Sequence, residues 1–192
     1  LGNAHPQTLS IASKLAKIYE RGGNYDRAIN LRNIISETME SIFGPTHFLT
    51  LKEYERLSFA YRSFGDIESA LGILGYVCGV YDSVIANFHP TSLKCQSILA
   101  TFYAERGDLS RAYEARDKIA GLYSFLSKES DPPAVENLID LGELIRKKGD
   151  LGEAEKLLGK MIDLSKSHGY KTLERKASTY LSRVYVDSGD LK

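Results

Sequence analysis

This chain of 192 residues has little of what would point at once to a membrane, a nucleic acid or a disulfide-rich scaffold. It contains two cysteines, Cys78 and Cys95, which are too few for a disulfide framework. It has no apolar run of about 18 residues, so it offers no candidate for a membrane-spanning helix. Its 25 Lys and Arg residues equal its 25 Asp and Glu residues. It therefore lacks the basic excess of a general nucleic-acid-binding or anionic-membrane surface.

The cysteines also bear on the cellular compartment. Both lie in apolar helical stretches, where we expect small buried thiols of the kind found in a reducing environment. The sequence shows no secretory signal peptide. We therefore predict a cytoplasmic protein. Because the chain begins at Leu1 and stops within a repeat at Lys192, we expect it to be a segment of a longer protein.

What the sequence does contain is internal repetition. The glycines that mark the period stand 42 residues apart and are Gly23, Gly65, Gly107 and Gly149. Each opens a variant of Gly-Asp/Asn-x-x-x-Ala, and a fifth phrase, Gly189-Asp190-Leu191, follows 40 residues later. A fixed period of this length is typical of stacked supersecondary units. We expect one continuous domain over 1–192, with repeats at about 6–47, 48–89, 90–131 and 132–169 and a partial repeat at 170–192.

Each repeat holds two helical patterns. In the first, a leucine is followed four residues later by a tyrosine or isoleucine, which places both on one face of a helix. These register leucines are Leu15, Leu57, Leu99 and Leu141. The glycine of the phrase ends this helix, and the Asp or Asn after it caps the next one. The predicted helices are 7–21, 25–43, 48–63, 67–87, 91–106, 109–127, 133–148, 151–167 and 170–187.

These phrases resemble tetratricopeptide (TPR) repeats, and more narrowly the 42-residue repeats of kinesin light chains and of sensor arrays in NTPase-containing signalling proteins. The resemblance rests on Leu-small-x-x-Tyr, on Gly-Asp/Asn-x-x-x-Ala and on His5-Pro6-Gln7-Thr8-Leu9. It implies an all-α fold, a right-handed α-solenoid of tandem antiparallel helix pairs. In such an array the first helix of each pair lines a concave groove.

The groove is the predicted working surface. Positions two residues before and after the register leucines point into it, and cationic residues lie one turn away. A wall of both charges with two exposed apolar residues, Phe59 and Ile139, suits a peptide with an apolar anchor. The leading hypothesis is a scaffold that binds a peptide or partner domain; the alternative is a regulatory or sensor array of a larger nucleotide-driven signalling protein. The predicted groove residues are Ser13, Lys17, Lys52, Glu55, Phe59, Arg62, Ser97, Thr101, Ile139, Glu143, Arg146 and Arg183.

The second helix of repeat two carries three glycines on one face, Gly72, Gly75 and Gly79. Each costs roughly 0.5–1 kcal/mol relative to alanine in a helix interior. One interpretation of this glycine stripe is the close approach of another helix, from a second copy of the chain or from a flanking segment. The other is neutral drift on an exposed face. The sequence leaves both interpretations open. Self-association is expected only if a helix from a second copy of the chain docks on the stripe.

No cluster of reactive side chains predicts catalysis. His5, His47 and His89 stand one repeat apart, so they belong to separate linkers and cannot share a metal at bond lengths of about 2.0–2.1 Å. Gly159-Lys160 lacks the rest of a phosphate-binding loop. We predict no enzymatic activity, no metal and no cofactor, and partners that are proteins or peptides rather than nucleic acids or membranes.

Overall fold

A computed structural model describes residues 5–189. This part of the chain is all-α, as predicted, and contains no strand. Asp190 and Leu191 of the fifth repeat phrase lie outside the described residues. The helices of the described chain are α1 Pro6–Arg21, α2 Tyr25–Phe43, α3 Phe48–Phe64, α4 Ile67–Val84, α5 Pro90–Arg106, α6 Leu109–Phe125, α7 Pro132–Lys148, α8 Leu151–Ser167 and α9 Lys171–Ser188.

The helices fall into two compact units, Leu1–Cys95 and Gln96–Lys192, with the boundary inside α5. In the first unit α2 packs against α1 and α3, and α3 packs against α4. In the second unit α7 packs against α6, α8 and α9, and α8 also packs against α9. Each unit is thus built from consecutive helices. One continuous domain over 1–192 stays a prediction.

The repeat phrase sets most helix boundaries through local geometry. Gly65 and Gly149 end α3 and α7 in the left-handed region, with φ of 100° and 96°, which glycine adopts without steric cost. The aspartates that follow cap the next helices. Asp66 accepts a hydrogen bond from the Ser69 N–H at 3.0 Å, and Asp150 accepts one from the Glu153 N–H at 3.0 Å.

Two helices end earlier than the sequence predicts. α4 stops at Val84 instead of residue 87, because Ala86 adopts a φ of 72°. α6 stops at Phe125 instead of residue 127, because Ser127 adopts a φ of 53°. These left-handed residues are not glycines. The residue types in these two segments therefore do not indicate where the helices end.

The linker histidines cap first helices. The N–H groups of Gln7, Leu49 and Thr91 donate to Nδ1 of His5, His47 and His89 at 3.2, 3.3 and 3.2 Å. Each histidine thereby satisfies one of the amide groups that have no partner within the helix. Between residues 5 and 189, no group of three or more metal-ligating side chains is arranged to hold a metal ion. No helix in the same stretch is long and apolar enough to cross a membrane.

The register leucines form part of the core in three repeats of four. Leu57, Leu99 and Leu141 are 3%, 8% and 6% exposed. Leu15 is 39% exposed, and it shares an open side of α1 with Ile11 and Ile18. The leucine pattern therefore identifies buried positions from the second repeat onward.

The position after the register leucine allows close helix packing, as its small residues predict. In α7 this position is Gly142, which lies against Leu158 of α8. A Cβ placed on Gly142 would come 2.9 Å from both Cγ and Cδ2 of Leu158. Leu158 is fully buried in the core of the second unit. α8 approaches α7 this closely because residue 142 has no side chain.

Cys78 on α4 and Cys95 on α5 form a disulfide, with their Cα atoms 5.5 Å apart. The sequence correctly predicts that both are buried, but the expected free thiols are wrong. The two positions meet across the linker between α4 and α5. The periodicity of a single helix cannot show which residues of two different helices face each other. Free thiols therefore no longer support the prediction of a reducing, cytoplasmic compartment.

Candidate functional site

The first unit contains a cleft of about 650 Å³ between α1, α2 and α3. Two predicted groove residues, Ser13 and Lys17, line it. The structure adds further side chains of α1, α2 and α3, which the sequence pattern did not identify as groove residues. The lining residues are Pro6, Leu9, Ser10, Ser13, Lys14, Lys17, Arg32, Met39, Ile42, Phe43, Leu49 and Arg56.

The cleft is apolar at one end and basic at the other. Its apolar end brings together the starts of α1 and α3 with the last turns of α2, including Leu9, Phe43 and Leu49. One to two turns further along α1 come Lys14 and Lys17. The eight residues from Leu9 to Lys17 correspond to about 12 Å of helix. Lys14, five residues from Leu9, lies about 7.5 Å along the same axis, so the two lysines are separated from Leu9 by about 7–12 Å of helix.

The apolar end is open to solvent. Ile42, Phe43 and Leu49 are 44%, 42% and 44% exposed, although each is large and apolar. The Phe43 ring stacks on His47, with centroids 4.8 Å apart. Contiguous exposed apolar side chains in a concave surface are typical of a binding site.

The two arginines that line the cleft are paired with carboxylates. Arg32 donates to Glu20 at 2.5 Å and to Glu53 at 2.6 Å, and Arg56 donates to Glu53 at 2.8 Å. Burial by itself lowers the pKa of Arg32, but the hydrogen bonds and charges of Glu20 and Glu53 outweigh burial and raise that pKa. Arg32 is consequently a charged structural residue whose donors are already engaged by carboxylates.

Lys14 and Lys17 differ from these arginines. Both side chains are exposed, and neither has an ion-pair partner within the part of the chain from residue 5 to residue 189. They lie one turn apart on α1 and line the same cleft. The cleft thus carries two positive charges that no described carboxylate neutralises.

Other predicted groove residues of the first unit are engaged with each other. Lys52 donates to the two oxygens of Glu55 at 2.9 and 2.8 Å, and the Tyr81 hydroxyl donates to Glu55 at 2.9 Å. Burial and the negative charge of Glu55 raise the pKa of Tyr81, which keeps its hydroxyl protonated. Phe59 is 37% exposed, and Arg62 is half-buried. None of these four groove residues lines the cleft.

In the second unit, Ser97 and Thr101 organise a buried arginine. Arg116 is 3% exposed and donates to the hydroxyls of Ser97 at 2.7 Å and Thr101 at 2.9 Å. It also donates to Asn137 at 3.3 Å and pairs with Asp140 at 2.9 Å. Burial lowers the pKa of Arg116 by more than the negative charge of Asp140 raises it. The sequence analysis missed this residue, although Arg32 and Arg116 occupy equivalent positions two repeats apart.

The remaining groove residues of the second unit are buried or paired. Ile139, predicted as an exposed anchor, is fully buried, and that prediction is wrong. The reason is that α7 is covered by α6, α8 and α9, which leaves it little free surface. Glu143 is 7% exposed and accepts hydrogen bonds from Arg146 at 2.8 and 3.0 Å and from Arg183 at 3.1 Å.

The glycine stripe of α4 faces open space. Apart from the backbone of α4 itself, a Cβ added to Gly72, Gly75 or Gly79 would have no neighbouring atom within 4 Å. The three positions therefore face away from the other described residues, as the sequence analysis inferred. Whether a helix docks there stays a prediction.

Comparison with known proteins shows the fold. No protein-family model matches the sequence, and no curated protein matches it. Among solved structures, one similar chain is from Podosopora anserina and is described as a kinesin light chain with nearly identical TPR-like repeats. It is 21% identical and superposes with a TM-score of 0.78 over 97% of this chain and 90% of that one.

Two further structures agree. A variant of the same Podosopora anserina protein has a TM-score of 0.80 at 20% identity, over 100% of this chain and 90% of that one. BtubC (BKLC) from P. vanneervenii has a TM-score of 0.78 at 16% identity, over 96% of this chain and 74% of that one. The chain therefore has the all-α, tandem-repeat fold of kinesin-light-chain-like TPR proteins, as its repeat phrases predict.

Proposed function

We propose that this chain is a protein-interaction scaffold and that the cleft between α1, α2 and α3 binds a segment of a protein partner. The observation that carries the proposal is the coincidence of exposed apolar side chains with unpaired lysines in one concave surface. Apolar side chains buried on binding supply affinity, and charges fix orientation. We do not propose a catalytic role.

The cleft also indicates the chemistry of the segment. Phe43 and Leu49 offer an apolar surface to one large apolar side chain, and Lys14 and Lys17 offer charge to carboxylates. The separation of about 7–12 Å along α1 between Leu9 and the two lysines corresponds to about two to four residues of an extended peptide at about 3.3 Å each. We therefore propose an acidic segment whose apolar anchor lies about two to four residues from its carboxylates. The sequence analysis expected charges of both signs beside the anchor.

The cleft is a better candidate than the other predicted groove positions, because charged residues at those positions already form ion pairs within the protein. A ligand carboxylate that approached Arg146 would compete with Glu143, and one that approached Lys52 would compete with Glu55. At Lys14 and Lys17 no ion pair among the described residues has to be broken. Binding through Phe59 and Arg62 of α3 stays a prediction.

The test is selection from a random peptide display library, followed by affinity measurements on the enriched peptides. We expect enrichment of acidic peptides with one aromatic or large aliphatic residue, and affinities that fall as salt rises. The double variant Lys14→Glu/Lys17→Glu should lose at least about tenfold in affinity, which corresponds to about 1.4 kcal/mol.

The matched control reverses two exposed lysines of α8, Lys156→Glu/Lys160→Glu, and should leave the affinity unchanged. Both variants should keep the circular dichroism spectrum of the parent chain. Enrichment of neutral or basic peptides would contradict the proposed ligand chemistry. Equal affinity of the two charge-reversal variants would place the binding site outside the cleft.

A further inference from the structure

We propose that the Cys78–Cys95 disulfide is a redox latch: oxidation begins while α4 and α5 are locally separated, the bond closes when the two cysteines meet, and the folded first unit then shields it from thiols. The chain would thus exist in two long-lived forms, bridged and unbridged, that differ in stability. Both cysteines belong to the first unit, and the bond joins two helices that are connected by a short linker. The proposal is independent of the peptide-binding cleft.

The bond lies inside the core. Cys78 is fully buried and Cys95 is 2% exposed. Their neighbours along α4 and α5, Val77 and Leu93, are 0% and 2% exposed. Thiol–disulfide exchange requires a thiolate to reach one of the two sulfurs. Because solvent does not reach these sulfurs in the folded unit, exchange requires α4 and α5 to separate locally.

One end of the bridge, Cys95, occupies a position that is polar in the neighbouring helix pairs. Arg32 of α2 bonds to Glu53, and Arg116 of α6 bonds to Asn137, in each case 21 residues later. In α4 the equivalent position is Leu74, and the residue 21 positions after it is Cys95. Repeat two, in which leucine stands where repeats one and three have a buried arginine, carries the covalent link, whereas repeat four, with Leu158 at this position, has neither.

Formation of the latch requires a disulfide of low molecular weight, such as oxidised glutathione, as the oxidant. The thiolate of one cysteine attacks this disulfide, forms a mixed disulfide and releases one small thiol. The second cysteine then attacks the mixed disulfide, which closes the Sγ–Sγ bond and releases the second small thiol. The two protein thiols lose two electrons and two protons, and the small disulfide gains them. Reduction by a dithiol reverses these steps.

The first test measures how fast the bridge is reduced in the whole chain. The bridged form is prepared with oxidised glutathione, exposed to dithiothreitol, and quenched with iodoacetamide for mass spectrometry. We expect reduction of the folded chain to be about 100-fold slower, or more, than reduction in denaturing urea, because it waits for local opening. Equal rates in both conditions, or failure of the bridge to form at all, would overturn the proposal.

The second test compares the melting temperatures of the bridged and reduced forms. A bridge between cysteines 17 residues apart should raise the melting temperature by about 6–12 °C, because it constrains the unfolded chain. The control is Cys78→Ala/Cys95→Ala, whose melting temperature should not respond to reductant. If this variant does not fold, the native chain with and without reductant gives the same comparison. Identical melting temperatures of its two forms would overturn the latch.

Discussion

Gly142 offers a sharp test of how α7 and α8 pack. In Gly142→Ala the new Cβ would lie 2.9 Å from Cγ and Cδ2 of Leu158. Cγ is the branch point of the leucine and not a mobile tip, and the side chain is fully buried in the core of the second unit. Leu158 or the backbone of α8 must therefore move to accommodate a single methyl group.

The magnitude follows from two opposing effects. Alanine is a better helix former than glycine by about 0.8–1.0 kcal/mol, which favours the variant. Insertion of a methyl group into a packed core costs about 1–3 kcal/mol. Gly159→Ala provides the matched control, because Gly159 also lies inside a helix of the second unit but its added Cβ meets no atom within 4 Å. The control therefore measures the stability gained from helix propensity without any added crowding in the core.

Thermal unfolding followed by circular dichroism compares the two variants with the parent chain. Gly159→Ala should be more stable than the parent by several tenths of a kcal/mol. Gly142→Ala should be less stable than Gly159→Ala by about 1–3 kcal/mol, or about 2–12 °C in melting temperature. If Gly142→Ala gained as much stability as the control, the close contact of α7 with α8 would be wrong.

Three further predictions concern the first unit. Leu57→Ala removes a leucine that is 3% exposed and should cost about 2–5 kcal/mol in unfolding free energy; a parent-like urea transition would contradict the leucine register. Gly75→Leu places a side chain in open space, so it should raise the melting temperature slightly and leave the mass from light scattering unchanged; loss of a dimer would instead support docking on the stripe. Hydrogen bonds from Ser69 lower the pKa of Asp66. The charged cap therefore stabilises α4 fully above the pKa of an unfolded aspartate, about 3.9, and this stabilisation is lost as the pH falls through the lower pKa of the folded state. Asp66→Asn should melt with a weaker dependence on pH between 5 and about 2 than the parent chain, and equal slopes would refute the role of the cap.

The candidate site shows how far reasoning from the sequence reaches. Repeat register placed Ser13 and Lys17 on the inner side of α1, and both line the cleft. The same rule failed at Ile139, because the apolar periodicity of α7 does not show how many other helices pack against it. It also missed Phe43 and Leu49, which lie at helix ends near a linker, where the leucine register does not apply.

The sequence by itself determined the repeat period, the helical character of the chain and most helix boundaries. These features depend on interactions within about four residues, such as a left-handed glycine after α3 or an aspartate cap before α8, and local sequence contains all of their determinants. Only the tertiary structure decided that Cys78 meets Cys95, that Arg116 is buried among hydroxyls, and that Lys14 has no described carboxylate beside it. These outcomes depend on which faces of different helices meet, and that choice is made by the packing of the whole core.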